Sequence, residues 1–200
     1  MNNELKRKLK FIAIGFCVLM IPIGFFLKYA YGVHLNDTAT HDFWIRHYGD
    51  KQVALEAIEK LEQAKKFCKR NKIVYYNQSR IQSILGDYTS AIHTMDEWLT
   101  IKPKDINAIR LQGYYYELNK QISKADENYL LVREHSEDEV NNDVSELTSL
   151  VNDLVLKDTV GISKRMDELL IKYKDDPRKL SFLESLKTID RKELIKQQIQ

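Results

Sequence analysis

The chain has 200 residues, 44% of them hydrophobic and 30% charged, with a formal net charge of +2. That is room for one modest folded domain plus an appendage, and the balance excludes an intrinsically disordered chain. Seven glycines and three prolines argue against a β-sandwich, and two cysteines, Cys17 and Cys68, argue against a disulfide framework.

The first element is an apolar run, Phe11–Leu27 (FIAIGFCVLMIPIGFFL), without a single charge. As a helix it would be roughly 26 Å long, and continuing through Tyr29, Ala30 and Tyr31 brings it to the ~30 Å of a hydrocarbon core. Lys6, Arg7, Lys8 and Lys10 precede the run, and Lys28 follows it. This asymmetry predicts a signal anchor over residues 11–31, with residues 1–10 as a basic cytoplasmic flank. The chain is then a single-pass membrane protein whose remainder is periplasmic or extracellular. Cleavage after Gly32, at the small-x-small triplet Ala30-Tyr31-Gly32, is the alternative. Without this flank the chain is slightly acidic and has no Lys/Arg stripe, so no nucleic-acid partner is expected.

Residues 32–49 read as a polar junction in which Thr40 caps a short helix through Phe43, Trp44 and His47. The stretch also gathers His34, His41, His47, Asp37 and Asp42. Histidines seven and six residues apart do not align two imidazoles on one helical turn, so no metal site is expected.

From Asp50 the pattern is helical. Val53, Ala57, Leu61, Ala64 and Phe67 recur at three and four residues within 50–70. A pair follows, Ile73–Leu85 and Tyr88–Ile101, turned by Gly86-Asp87. Pro103 ends it, and Asp105 caps a second pair, Ile106–Leu118 and Ile122–Arg133. Three stretches complete the chain: Val140–Leu156, Val160–Tyr173 and Pro177–Ile199. No segment alternates long enough to require a strand. The expected fold is all-α, an N-terminal transmembrane helix followed by an α-solenoid of helical hairpins.

The middle of the chain carries a spaced set of small and aromatic residues: Tyr75, Gly86, Tyr88, Ala91, Met95, Trp98 and Pro103, then Gly113, Tyr116, Ala125 and Tyr129. The second group falls where a 34-residue unit would repeat the first. With this set, residues 72–105 and 106–139 resemble the tetratricopeptide repeat (TPR) family. Trp98 stands where the family has a small residue, Gln82 where it has an aromatic, and Glu137 where it has Pro. The likeness extends loosely over 50–139, since Ala57, Leu61 and Ala64 have the family's second-helix spacing. Residues 140–200 read as degenerate or capping helices.

The resemblance implies a concave groove lined by the first helix of each unit. By position, that is Tyr76, Arg80 and Ser83, then Arg110, Tyr114 and Glu117. Such a groove would hold a segment of another protein, with Tyr and Arg as anchors. The family's peptide-carboxylate clamp is incomplete: Asn77 matches, but Arg80 sits where a second Asn would. The implied function is a membrane-anchored protein-interaction scaffold that assists envelope complex assembly. An immunity-type protein sequestering a toxin at the membrane is the alternative, and a self-associating array is a third. A metal-dependent enzyme ranks last, because the chain has no phosphate-binding Gly-rich loop, nucleophile elbow or Cys/His pair. No catalytic residue and no cofactor are expected, and homo-oligomerisation stays open.

Overall fold

The computed structural model describes residues 3–46, 48–136, 162–199 and six positions between 147 and 155, with side chains from Met20 onward except at positions 46, 135, 136, 198 and 199. The described residues form helices, with no strand among them, so the all-α expectation holds. In chain order these are α1 (Asn3–His41), a π-helical turn (Asp42–Arg46), α2 (Lys51–Phe67), α3 (Lys72–Ile84) and α4 (Tyr88–Ile101). Then come α5 (Ile106–Leu118), α6 (Ile122–Ser136), α7 (Ile162–Lys172), α8 (Pro177–Leu186) and α9 (Arg191–Ile199). The chain divides into two compact units, Met1–Ile81 and Gln82–Gln200, the division falling within α3.

In the first unit α2 folds back antiparallel on the C-terminal part of α1. Buried Gly32, Asn36, Ala39 and Phe43 form one stripe at helical spacing. They face Ala54, Ala57, Leu61, Ala64 and Cys68, a second stripe of mostly small side chains. The approach is close: a Cβ on Gly32 would lie 2.9 Å from both Cys68 Sγ and Phe67 Cβ. Tyr31 meets the Phe67 ring edge-on at 5.2 Å, and Lys60 Nζ donates to Asp42 Oδ2 at 3.3 Å. Asp50 caps α2 by accepting from Gln52 N and Val53 N at 2.8 and 3.2 Å.

Two expectations are corrected here. Of the residues read as a polar junction, 32–41 continue α1 and 42–46 form the π-helical turn; Thr40 caps nothing, because its hydroxyl donates back to Asn36 O at 2.8 Å inside the helix. The polar residues misled because Asn36 is buried with a partner, its Oδ1 accepting from Asn77 Nδ2 at 3.0 Å. The second correction concerns the anchor. Among the described residues no helix is long and apolar enough to cross a membrane. The side chains of residues 11–19 lie outside the described set. The expected single-pass membrane placement is overturned by this finding.

The second unit holds α4, α5 and α6, packed in sequence. Its core is Ala91, Met95, Trp98, Ala108, Leu111, Tyr115, Ala125, Tyr129 and Val132, all buried. Asp105 joins α4 to α5: Oδ1 accepts from Ala108 N at 3.2 Å and Oδ2 from Trp98 Nε1 at 2.9 Å. Trp98 thus has its polar edge satisfied while its ring fills the core.

Two helices end in the same way. Gly86 has φ +77°, Gly86 N donates to Ser83 O and Asp87 N to Gln82 O, both at 3.0 Å. At Lys120 φ is 62°, with Lys120 N donating to Glu117 O at 2.9 Å and Gln121 N to Tyr116 O at 2.8 Å. Both are Schellman caps, and Lys120 occupies a left-handed position that favours glycine.

The tail departs from expectation at one point. Residues 177–199 form two helices rather than one, because Asp190 Oδ2 accepts from Lys192 N at 3.0 Å and starts a new helix after Leu186. Thr188 and Ile189, β-branched, sit in the break. Most of the expected helix Val140–Leu156 lies outside the described residues.

Gly113 is the tightest contact in this unit, since a Cβ there would lie 2.6 Å from Tyr129 Cε1. Gly113→Ala should therefore destabilise the protein by about 1–3 kcal/mol despite the better helix propensity of Ala. Lys120→Gly should stabilise it by about 0.5–1 kcal/mol through relief of the left-handed backbone. Chemical denaturation of both variants checks the signs.

Candidate protein-binding site

The six groove residues are distributed over both units. In the first, Tyr76 and Arg80 are half-buried on α3. In the second, Ser83 is buried near the end of α3, and Arg110, Tyr114 and Glu117 share one face of α5 through their spacing of four and three. Arg110 is half-buried, and its Nη2 donates to Asn107 Oδ1 at 2.8 Å. Tyr114 is 1% exposed, its ring 5.8 Å from that of Tyr129, and its hydroxyl is buried without a hydrogen-bond partner. Of the repeat residues, Tyr75, Ala91, Met95, Trp98, Gly113, Ala125 and Tyr129 are buried, and Tyr88 and Tyr116 half-buried. Gly86 and Pro103 are exposed at turns.

Glu117 is the most heavily engaged member. Arg191, from α9, donates from Nε to Oε1 at 2.7 Å and from Nη2 to Oε2 at 2.8 Å. Tyr129 Oη donates to Oε2 at 3.1 Å, and Asp126 Oδ1 lies 3.7 Å from the same Arg191 nitrogen. The Glu117 and Arg191 side chains are only 15% and 20% exposed, so the pair is largely desolvated. Burial alone would lower the Arg191 guanidinium, but the hydrogen bonds and charge of Glu117 more than offset it, and the group is raised. Burial pushes the Tyr114 hydroxyl up to about 12, with Arg110 opposing and Glu117 reinforcing the shift. Tyr129 is raised further, first by burial and then by the adjacent Glu117 carboxylate.

A polar chain crosses α4, α5 and α6. Gln112 Nε2 donates to Asp96 Oδ1 at 2.7 Å, and Asn128 Nδ2 donates to Gln112 Oε1 at 3.0 Å and to Ile109 O at 3.1 Å. In the first unit Gln78 Nε2 donates to Glu62 Oε1. The acid–glutamine bond at 62–78 and the one at 96–112 stand 34 residues apart, the interval at which the sequence resembles a repeat. Ala57, Ala91 and Ala125 are buried at the same interval, as are Leu61, Met95 and Tyr129. Sequence reasoning missed the polar pairs, although a 34-residue shift of Glu62 and Gln78 onto Asp96 and Gln112 carries their signal.

No family model matches the chain, and neither a curated protein nor a solved structure does. The arrangement therefore stands on its own chemistry. Among the described residues no cluster of three or more His, Cys, Asp or Glu side chains is placed to hold a metal, and His47 lies outside them. Cys68 is buried, its thiol donating to Ala64 O at 3.0 Å and raised by burial, so its thiolate is disfavoured.

The two tyrosines give opposite expectations. Tyr114→Phe removes an unpartnered buried hydroxyl and should be neutral or stabilising by up to about 1 kcal/mol, whereas Tyr129→Phe loses a bond to a carboxylate and should cost about 1.5–3 kcal/mol. Both phenols are neutral in the fold and ionise near 10 when unfolded, so their contribution is complete below about pH 10 and lost as pH rises from there. Denaturation between pH 9 and 12 should show a loss of stability that is smaller in Tyr114→Phe.

Proposed function

We propose that this protein is a TPR-like helical-repeat module whose activity is to hold a segment of another protein, without chemistry or cofactor of its own. The observation that carries the reading is the recurrence of the acid–glutamine bond, Glu62 with Gln78 and Asp96 with Gln112, at one repeat length. A helical bundle with chance spacing has no reason to restate a bond between an exposed acid and a buried glutamine at the interval that also separates its buried alanines. The paired Schellman caps at Gly86 and Lys120 add a third feature at that interval.

Repeats of this kind stack into a solenoid, and the first helices of successive hairpins line its inner face. On that reading Tyr76 and Arg80 in the first unit, and Arg110 separately in the second, each half-buried, offer contact area and directional donors to a bound segment. The partner's chemistry is read most directly at the second unit, where α5 combines a cation at Arg110 with an acid at Glu117.

A photo-cross-linking residue at position 110 of the full-length chain, in the cells that make it, tests this. One discrete adduct is expected there, and none from position 93, where His93 is exposed on α4. Equal labelling at both positions, or none at 110, would overturn the binding assignment.

A further inference from the structure

The Glu117–Arg191 contact costs more than a structural tie needs to. A half-buried ion pair loses much of its Coulombic gain to desolvation, and apolar side chains of similar volume generally hold a helix as well or better. What such a pair supplies is selectivity, because a planar guanidinium bridges both oxygens of a carboxylate and an ammonium cannot. Glu117 receives Arg191 in that bidentate way, with Tyr129 Oη also donating to Oε2 and Asp126 adding a second acid.

The remainder of α9 shows what fits beside the arginine. Leu194 and Ile195, three and four positions on, are 2% and 0% exposed, whereas Lys192, Glu193 and Lys196 face solvent. The seated face is Arg-x-x-Leu-Ile, one turn of an amphipathic helix. At nine residues α9 is too short to stay helical in isolation, so its conformation depends on its seat.

From these observations we propose that Glu117, Asp126 and Tyr129 form a socket that recognises an arginine-bearing amphipathic helix, and that α9 fills it in cis as a displaceable stand-in for a partner's helix. The proposal rests on the protein-binding reading above and specifies its ligand: a helix with Arg followed by two aliphatic residues three and four positions later. Binding by the partner then competes with α9, and apparent affinity is reduced by the fraction of time the socket is filled.

A fluorescent synthetic peptide of residues 187–200 is the probe, titrated by anisotropy into full-length protein. Arg191→Ala in the protein vacates the socket and should raise affinity for the peptide by about tenfold or more over the wild type. In that background Glu117→Gln should abolish the gain, and a peptide carrying Arg191→Lys should bind at least about tenfold more weakly than the parent peptide. Circular dichroism checks that each variant keeps its helix content. Should Arg191→Ala unfold the protein, Arg191→Lys serves instead, since it keeps the charge and lacks the fork.

Equal peptide affinity for wild type and variant, or a gain that survives Glu117→Gln, overturns the proposal. A wild-type dimer that becomes monomeric in Arg191→Ala also overturns it, assigning the seat to α9 of a second copy. If the peptide fails while the cross-link at position 110 persists, the socket alone is lost; if the cross-link is absent, the binding reading falls with it.

Discussion

A missing side chain at position 113 sets the geometry of the second unit. Paired helices lie 8–10 Å apart according to the side chains at the crossing. With Gly113 on α5, the ring of Tyr129 on α6 enters space that a single methyl would deny it. Seated there, the Tyr129 hydroxyl reaches Glu117, which in turn holds Arg191 with both oxygens. Absence of one carbon thus fixes the position of a ring, the ring orients a carboxylate, and the carboxylate selects a guanidinium from 74 residues away. The first unit uses the same device at Gly32, under Phe67 and Cys68.

Close approach by small residues would leave the helices free to slide, because alanine stripes offer few features to lock one register. A buried amide removes that freedom. Gln112 donates to Asp96 and accepts from Asn128, so a side chain that must find partners ties α5 to both α4 and α6. The net contribution of these bonds is about 1 kcal/mol each, but leaving the buried amide unpaired costs about 1–3 kcal/mol, which penalises a wrong register more than it rewards the right one. Packing brings the helices together and the polar chain decides how they align.

Much of this was legible in the residues. Apolar spacing of three and four, with Asp105 as a cap, marks helix starts because capping is a local act. Ala91, Gly113 and Ala125 are readable as packing positions because small residues at a fixed interval let paired helices approach. What escaped depends on distant partners. Asn36 looks like loop chemistry until Asn77 satisfies it, so the end of α1 was read as a junction. Glu117 looks like an exposed groove acid until Arg191 arrives from the tail. Tyr114 shares the α5 face with Arg110, yet its ring is buried against Tyr129, which helical spacing alone does not distinguish from exposure. Lys120 hides a cap normally signalled by glycine. The apolar run near the N-terminus has the composition of an anchor, but the described helix offers no sufficient apolar length.

If α4, α5 and α6 are locked by Gly113 and the amide chain, they open together. Native-state hydrogen exchange across residues 88–134 measures this directly. The interior amides of all three helices are expected to exchange with one common opening free energy, the largest in the protein. Exchange of α6 amides at a rate independent of α5, with α5 still protected, would contradict the account.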